Sequence, residues 1–425
     1  MERLLQPLLK TDGQYRPISF DDAFRLVAER CGGMDEDGLL VMCSGEYSNE
    51  ELYLIQRLAR AGLRTNALGS YDYYRRGSAF FIDKNDSVPY SELFSAGHFF
   101  CIFDEQADGA SQALAQRIVQ SCKETPCYRF NSKGTLHITN FGAFFRSLNH
   151  YLIRHDLAKG IYVEGLGKNY DTYKAAILAE DATPLLQANH LQEKDVADFI
   201  GLLLKASAPV FLVWERLLDA RGIIELENLC MLLDIQAKPS TGFLSLKAEH
   251  NSQGLYDMGI FPDISVGGRP MDEESRQLLH DICQREVATR PVDIAARLAR
   301  RDFQGCLYFN STGAPLPDEL LDQARHCAFS ALHTAYWDGV ATDFDLLLPA
   351  ALPDEVHGTF TDSTRTPHTS APAADSPLTF DNLQQISIIG TELGLAPLED
   401  PKDIFLEYVS FFQGGCRSHL RHFFR

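Results

Sequence analysis

Three residues near the end of the chain have side chains and spacing suited to metal binding. Cys416, His419 and His422 form a C-x-x-H-x-x-H run, which brings three soft ligands within two helical turns. The same tail is basic on an otherwise acidic protein, so a segment that docks on an acidic partner surface is the alternative. Elsewhere, Cys43 begins a "CSG" run after an apolar segment, where an exposed thiol could serve as a nucleophile.

The cysteines as a set favour packed, reduced thiols. Ten cysteines in 425 residues are too sparse for a disulfide framework, and most lie in apolar company, as in "LLVMCSG", "HFFCIFD" and "LENLCMLL". Cys122 and Cys127 are a near pair, but the sequence has no C-x-x-C run and no G-x-S-x-G nucleophile elbow. An iron–sulfur cluster held by this chain is therefore not expected.

Turns that follow apolar strands are where a nucleotide phosphate would bind, because glycines there let the backbone approach it closely. The corresponding runs are "DEQADGAS" (104–111), "ERLLDARG" (215–222) and "NSTGAPLP" (310–317). The first two place acidic or bulky residues in the turn, and the third has one glycine among small residues. These turns predict weak phosphate binding at best.

The elements that position these residues alternate between apolar strands and amphipathic helices. A helix is predicted in "SFDDAFRLVAERC", where Ser19 can cap and two aspartates lie in the first turn. A strand, "GLLVMCSG", and a helix, "SNEELYLIQRLARAGL", come next. The same alternation continues with strands at 98–104 and 208–214, helices at 193–206, 222–234 and 316–328, and the apolar runs "CYRF", "GCLYFNS", "CAFSALHT" and "DFDLLLPAAL".

The last part of the chain changes character. Residues 354–377 are rich in Thr, Ser, Pro and Ala, which predicts a long loop with little regular structure. Two further helices are predicted near 380–394 and 401–412. Buried strands that alternate with helices indicate an α/β protein with a mostly parallel, doubly wound sheet.

The charge balance limits the partners. The chain has 39 Lys and Arg against 58 Asp and Glu, a formal net charge of −19, whereas nucleic-acid binding needs clustered basic residues. Nucleic acid is therefore not expected as a partner. No apolar run approaches the roughly 18 residues of a membrane helix, and the start "MERLLQPLLKTDGQ" does not read as a signal peptide. The expectation is a cytoplasmic protein with no transmembrane segment.

The segment 249–259, "EHNSQGLYDMG", resembles the N-x-Q-G-x-x-D-M-G stretch of the molybdopterin oxidoreductase superfamily. This group contains the formate dehydrogenase large subunits and the large iron–sulfur subunit of bacterial complex I. Three more segments resemble family stretches in the same order, namely "RLLQPLLKTDGQYRPISFDDAFRLVAE" (3–29), "SGEYSNEELYLIQRLARAGLRTNAL" (44–68) and "DFDLLLPAALPDEVHGTFTDSTRT" (343–366). Four segments in order are much more specific than any one of them.

The resemblance implies the central domains of a molybdopterin oxidoreductase, with two doubly wound α/β lobes of which one is discontinuous. The first lobe is expected to comprise residues 1–75 plus 303–395, and the second residues 76–302. Residues 396–425 are expected to form a C-terminal helix and a basic tail.

Departures from the family pattern bear on the cofactor. The four-cysteine iron–sulfur domain that usually comes first in the family is expected to be lacking. The segment "GSYDYYRRGSAFF" (69–81), where the metal ligand is expected, has no cysteine and a displaced Ser78. The segments "FDEQAD" (103–108), "YRFNSKG" (128–134) and "TNFG" (139–142) replace the family's phosphate-binding turns. No cofactor or metal is therefore expected, and a vestigial cleft is predicted at Asn251, Gln253, Gly254, Asp257, Gly259, Gly358, Thr359 and Thr361.

The resemblance and its departures favour a non-catalytic, cofactor-free subunit of a cytoplasmic NAD-linked electron-transfer complex. Its implied partners are an iron–sulfur subunit, which it would scaffold, and a flavin- and NAD-binding subunit. The alternative is an active oxidoreductase of formate-dehydrogenase type that holds molybdenum or tungsten in a molybdopterin guanine dinucleotide. That enzyme would need catalytic groups, for which the candidates are Arg75, Arg76 and His98. A stand-alone assembly or binding module is a third hypothesis.

Two surfaces are candidates for docking a partner. The aromatic-rich runs "DYYRRGSAFFI" (72–82) and "FLEYVSFFQGG" (405–415) are the first, although buried helix faces explain them equally well. The tail is the second, because Arg417, Arg421 and Arg425 recur every four residues and would share one helical face beside Phe423 and Phe424.

Overall fold

The computed structural model describes residues 2–78, 81, 88–103, 110–235, 240–337, 341–413 and 424. They divide into two compact units, drawn from Met1–Ser78, Glu249–Asp362 and Thr366–Cys416 for the first unit and from Ala79–Ala248, Ser363–Arg365 and Arg417–Arg425 for the second. Each unit has its own parallel sheet.

Strands and helices alternate along most of the described chain. The strands are β1 (Glu2–Arg3), β2 (Leu8–Thr11), β3 (Gln14–Pro17), β4 (Leu39–Cys43), β5 (Leu68–Ser70), β6 (His98–Ile102), β7 (Cys127–Arg129), β8 (Pro209–Trp214), β9 (Gly242–Leu246), β10 (Ile264–Ser265), β11 (Arg269–Pro270), β12 (Gly305–Phe309), β13 (Phe329–Thr334), β14 (Tyr336–Trp337), β15 (Leu346–Pro349), β16 (Gly358–Thr361) and β17 (Pro367–Ser370). The α-helices are α1 (Phe20–Gly32), α2 (Asn49–Arg57), α3 (Ala110–Ser121), α4 (Phe141–Arg154), α5 (Tyr170–Ala179), α6 (Thr183–Gln187), α7 (Glu193–Lys205), α8 (Ala220–Leu232), α9 (Ser252–Asp257), α10 (Glu273–Cys283), α11 (Ile294–Ala299), α12 (Asp318–His326), α13 (Asn382–Glu392) and α14 (Pro401–Gln413).

The first unit is built on a seven-stranded sheet in the order β3-β2-β15-β13-β12-β4-β5. The five strands from β15 to β5 are parallel, and β2 and β3 add an antiparallel edge. Every residue of β4, β12 and β13 is buried, as expected for parallel strands whose two faces are both covered. The predicted strands "GLLVMCSG", "GCLYFNS", "CAFSALHT" and "DFDLLLPAAL" are confirmed.

The second unit contains a four-stranded, fully parallel sheet in the order β7-β6-β8-β9. Its core is aromatic: Phe100 of β6 stacks on Phe211 of β8 at 5.1 Å and meets Phe199 of α7 edge-on at 5.6 Å. Such ring pairs add about 0.5–1.5 kcal/mol each beyond the area they bury. The strand predicted at 208–214 and the helices predicted at 193–206 and 222–234 are confirmed within two residues at each end.

Two N-terminal caps set where helices of the first unit begin. The side chain of Ser19 accepts a hydrogen bond from the Asp22 backbone at the start of α1, as predicted. Ser48 and Glu51 form a reciprocal capping box at the start of α2, with hydrogen bonds of 2.6 and 3.2 Å. This box fixes the direction in which α2 leaves β4.

The segment predicted as a loop at 354–377 contains regular structure, so that prediction was wrong in part. β16 and β17 form an antiparallel hairpin, with Phe360 opposite His368. The strands are short and polar, and distant residues hold β16: Thr359 is bonded to Glu50 and Thr361 to Asn251. Local composition carries no sign of such partners.

Residues 249–302 lie in the first unit, whereas the sequence grouped them with residues 76–302. The reason is a set of hydrogen bonds centred on the buried Arg60, whose guanidinium donates to the carbonyls of Phe261 and Ile264 at 2.7 and 3.0 Å. The Ala288 amide donates to the Arg60 carbonyl at 3.0 Å. Residues 396–413, expected in a separate terminal segment, also lie in the first unit.

Among the described helices, none combines the length and the apolar character that crossing a bilayer requires.

Candidate functional site

Six of the eight positions predicted for a vestigial cleft lie on α9 or β16, and the other two, Asn251 and Gly259, flank α9, all in the first unit. Asn251 is fully buried, and its amide nitrogen donates to the Tyr47 carbonyl at 2.8 Å and to the Asn49 side chain at 3.0 Å. Its side-chain oxygen accepts from the Thr361 amide at 2.7 Å. Asn49 donates in turn to the Thr361 hydroxyl at 2.9 Å. Asn251 thus joins the entry to α2, the start of α9 and the end of β16.

A buried carboxylate continues this arrangement. The two oxygens of Glu50 accept from the backbone amide and from the hydroxyl of Thr359, each at 2.8 Å. Tyr408 of α14 also reaches Glu50, at 3.4 Å. Glu50 lies in the first turn of α2, where the helix dipole favours a negative charge. We call Asn49, Glu50, Asn251, Thr359 and Thr361 the amide–carboxylate cluster.

The glycines of the predicted cleft are surrounded by the protein's own atoms. A Cβ at Gly358 would lie 2.5 Å from the Ser48 Cβ, and one at Gly259 would lie 2.8 Å from the Ser265 carbonyl carbon. Gly259 also has a φ of +77°, in the left-handed region that glycine adopts most easily. A Cβ at Gly254 would overlap the side chains of Asn49 and Asn251. These glycines therefore permit close packing within the unit.

The remaining positions are bonded within the same loop. Gln253 donates to Asp257 at 3.3 Å across one turn of α9, and the Asp257 carbonyl accepts from the Gly267 amide at 2.7 Å. Just before them, the Glu249 carboxylate accepts from the Gly45 amide at 2.7 Å. All eight predicted positions are thus brought into one region of the first unit.

This region does not fit the pterin dinucleotide that the resemblance implies. Binding its polyphosphate would need free donors and close backbone approach, yet each side-chain polar atom of Asn251 already has a partner in the protein. The space above Gly358 and Gly259 is taken by Ser48 and Ser265. Glu50 and Glu249 would bring further negative charge next to the phosphates.

The candidate catalytic residues of the alternative function, an active oxidoreductase, contact neighbouring residues within their own units. Arg75 forms an ion pair with Glu319, and the Arg76 guanidinium lies 5.5 Å from the Tyr73 ring. Ser78, at the displaced metal-ligand position, donates to Asp263 at 2.8 Å. In the second unit, His98 stacks on Phe100 at 5.0 Å, and burial lowers its pKa.

The other candidates are placed as follows. Cys43 is fully buried, and burial raises the pKa of its thiol well above the usual value, so it is a packed thiol. Cys416, His419 and His422 lie outside the described residues, as do Asp104 and most of the acidic turn after β6. Within the part of the chain that the structure describes, no three metal-ligating side chains cluster.

Sequence reasoning missed a buried polar pair at the carboxyl end of β13. The Tyr47 hydroxyl and His333 Nδ1 are 2.8 Å apart, and burial lowers the His333 pKa to about 3, so this imidazole is neutral. The second nitrogen of His333 is buried without a hydrogen-bond partner among the described residues. A histidine at the end of an apolar strand, "FSALHT", was the available signal.

A buried ion pair at the carboxyl ends of β8 and β9 was also missed. Lys247 Nζ lies 2.9 Å from Glu215, and both side chains are almost completely buried in the second unit. The same ammonium lies 4.3 Å from the centre of the Phe81 ring. Each charge needs the other, because either alone would be costly to bury.

Comparison with known proteins agrees with this fold. No family model matches the chain. It is 22% identical over 410 residues to Staphylococcus aureus proteins named "Putative formate dehydrogenase", in strains bovine RF122 and USA300 among others. The match covers 86% of this chain and 40% of those proteins, so the chain spans about two fifths of the length of these curated relatives.

Solved structures give the same result. Acetylene hydratase from Pelobacter acetylenicus matches with a TM-score of 0.68 at 12% identity, over 96% of this chain and 64% of that one. A chain of the formyltransferase/hydrolase complex from Methylorubrum extorquens, solved with methylofuran, matches with a TM-score of 0.56 at 13% identity, over 91% of this chain and 98% of that one. The α/β fold is therefore similar to that of molybdopterin oxidoreductase-like proteins, as expected.

Proposed function

We propose that this chain is a non-catalytic, cofactor-free subunit that scaffolds a hetero-oligomeric complex. The observation that carries the proposal is the amide–carboxylate cluster, in which the positions that resemble a cofactor loop are bonded to one another. Asn251 and Glu50 hold α2, α9 and β16 together with short hydrogen bonds. The loop therefore has a structural role that needs no ligand.

The host complex that we favour carries out formyl transfer and hydrolysis. Its support is the structural match, with a TM-score of 0.56, to a chain of the formyltransferase/hydrolase complex. The Staphylococcus aureus proteins extend far beyond the matched region. The NAD-linked electron-transfer complex with iron–sulfur and flavin subunits, which the sequence predicts, stays a prediction and is a second possible host.

The second candidate function is an active oxidoreductase of formate-dehydrogenase type. It is favoured by the match of 86% of the chain to proteins named as formate dehydrogenases. It would require molybdenum or tungsten on a pterin that the cluster does not fit, and catalytic work from Arg75, Arg76 or His98.

One purification distinguishes these functions. The tagged chain would be isolated from its native organism together with its partners, which mass spectrometry would identify, and the complex would be analysed for molybdenum, tungsten and iron. We expect partner subunits with formyltransferase and hydrolase activity and no stoichiometric molybdenum or tungsten in this chain. Iron–sulfur and flavin subunits would instead identify the electron-transfer host.

Substitutions then test whether the chain is catalytic. Arg75→Ala, Arg76→Ala and His98→Ala should each leave the activity per assembled complex within about twofold, because none of these residues acts on substrate in the proposal. An enzyme would lose on the order of a hundredfold when a catalytic acid or base is removed. Such a loss, together with bound molybdenum or tungsten, would refute the scaffold.

A further inference from the structure

Two cysteine sulfur atoms lie within hydrogen-bonding distance of each other in the second unit. Cys101 of β6 and Cys127 of β7 have their sulfurs 3.3 Å apart. The two strands are parallel neighbours, with Cys101 opposite Arg129, so Cys101, Cys127 and Arg129 share one face of the sheet. Cys101 is buried, whereas Cys127 is partly exposed because β7 is the edge strand.

The pKa values of Cys127 and Cys101 are shifted in opposite directions. The hydrogen bond from Cys101 and the neighbouring Arg129 guanidinium lower the pKa of Cys127 to about 6, against the opposing effect of burial. The same hydrogen bond and burial raise the pKa of Cys101 well above its usual value. These opposite shifts favour the thiolate at Cys127 and the thiol at Cys101.

A second cysteine pair, in the first unit, supplies an internal comparison. Cys306 and Cys327 have their sulfurs 3.8 Å apart, and Cys306 is completely buried. The hydrogen bond from Cys306 lowers the pKa of Cys327 as well, although burial and the Asp345 carboxylate oppose the shift. The Cys327 sulfur also lies 3.2 Å from the Phe329 carbonyl oxygen. A cation faces the first pair and an anion faces the second.

A small cavity lies on the Cys101 side of the first pair, and Cys127 is itself partly exposed. The cavity is lined by Cys101, Arg129, Phe130 and Gln116 among others and has a volume of about 20 Å³. A cavity of roughly 15 Å³ or more accommodates one molecule the size of water.

We propose that Cys127 and Cys101 form a redox-active dithiol that a hydroperoxide converts into a disulfide. The Cys127 thiolate attacks one peroxide oxygen, the O–O bond breaks, and the leaving oxygen takes a proton, which leaves a sulfenic acid on Cys127. Cys101 then attacks the Cys127 sulfur, and its proton leaves with the hydroxyl group as water. Two thiols are oxidised by two electrons, and one hydroperoxide is reduced. A thiol reductant reverses the reaction.

The reaction would alter the edge of the sheet. A disulfide holds its sulfurs about 2.05 Å apart, closer than the 3.3 Å of the reduced pair, so forming it requires the two side chains to rotate or β7 to move toward β6. The predicted consequence is a change at the exposed edge of the second unit.

Peroxide treatment of the full chain tests the proposal. Peptide mapping after exposure to one equivalent of hydrogen peroxide should find a Cys101–Cys127 disulfide, which dithiothreitol removes. In Cys101→Ser, dimedone should label Cys127 as a sulfenic acid. Cys306→Ser is the matched control, and we expect no dimedone label on its Cys327. A lack of the Cys101–Cys127 link, or equal labelling of Cys327, would overturn the proposal.

Alkylation rates test the role of charge without relying on oxidation. Iodoacetamide should modify Cys127 about tenfold faster than Cys327 at pH 7, because the thiolate is the reacting form. Arg129→Gln should shift the pH midpoint of Cys127 alkylation upward and leave that of Cys327 unchanged. Circular dichroism would verify that each variant is folded. An unchanged midpoint in folded Arg129→Gln would refute the assigned role of Arg129.

Discussion

At the scale of single residues, the first unit uses polar side chains to hold its own backbone. The Asn251 side chain forms hydrogen bonds with the Tyr47 carbonyl and the Thr361 amide, and the Glu50 carboxylate accepts one from the Thr359 amide. Side chains thus take the place of backbone partners for these groups. A buried polar group left without its partner costs about 1–3 kcal/mol, so each of these residues constrains the others. The glycines in the same region stabilise it by leaving room for close packing rather than by forming hydrogen bonds.

Gly259 and Gly13 separate the effect of space from that of backbone conformation. Their φ angles are +77° and +76°, but a Cβ at Gly259 would lie 2.8 Å from the Ser265 carbonyl carbon, whereas nothing lies within 4 Å of one at Gly13. We expect Gly13→Ala to lower the free energy of unfolding by about 1 kcal/mol through backbone strain alone. Gly259→Ala should lower it by about 3 kcal/mol, because overlap is added. Urea unfolding measures both, and equal losses would contradict the crowding at Gly259.

At the scale of elements, two buried glutamate side chains lie next to each other at the start of α2. Glu50 bonds to Thr359 of β16, and Glu51 accepts from the Ser48 amide at 2.6 Å and from Asn382 of α13 at 2.7 Å. Burial raises the pKa of Glu51 to about 7 from its ordinary 4.5, despite these hydrogen bonds. The helix cap is therefore also a titrating group.

The sign of this shift gives a pH dependence. Between pH 4.5 and about 7 the unfolded chain has lost the Glu51 proton while the folded chain retains it, so stability falls as the pH rises through this window. Glu51→Gln does not titrate, so its stability relative to the natural chain should rise by up to about 3 kcal/mol across the window. Urea unfolding at the two ends measures this, with exposed Glu29→Gln as the control. A difference that does not change with pH would rule out the titration of Glu51.

Elements with strong local signals could be predicted from the sequence, whereas those held by distant partners could not. The apolar run of β12 and the Ser19 cap of α1 are readable within a few residues. The hairpin of β16 and β17 is polar and owes its position to Glu50 and Asn251, which stand far away in the sequence. The eight cleft positions followed from a family resemblance, but their hydrogen-bond partners became visible only in the structure.

At the scale of the whole molecule, each unit has a separate sheet and a separate core, and Phe424 packs in the second unit. Phe424, the described residue of the C-terminal tail, is 2% exposed and packs on Tyr170 and Tyr173 with ring centres 5.1 and 5.4 Å away. Its amide donates to the Lys168 carbonyl at 3.1 Å. The arginines of the predicted basic face, Arg417, Arg421 and Arg425, lie outside the described residues.

Substitutions can distinguish an apolar contribution of Phe424 from an electrostatic contribution of the arginines. We expect Phe424→Ala to lower the free energy of unfolding by about 3 kcal/mol, as for other buried aromatic residues. Leu406→Ala, at a side chain that is 55% exposed on α14, should change it by less than about 0.5 kcal/mol. If the basic face binds an acidic surface, replacing the three arginines by Gln should lower the free energy of unfolding at low salt only, because salt screens the attraction. Denaturant unfolding at two salt concentrations measures the effect of all three changes. If Phe424→Ala left the free energy of unfolding unchanged, Phe424 would not be an anchor.

The strand order of the first unit has a consequence for how the protein is made. β4 and β5 come from the beginning of the chain, yet β4 pairs with β12, whose residues are synthesised much later. The four strands of the second unit lie between His98 and Leu246, so they can pair while the ribosome is still adding β12. β5 can pair with one edge of β4 early, but the other edge stays unpaired in the nascent chain until β12 is made, and an unpaired apolar edge can aggregate. The second unit should therefore fold first, and the yield of intact protein should depend on chaperones that shield the early strands.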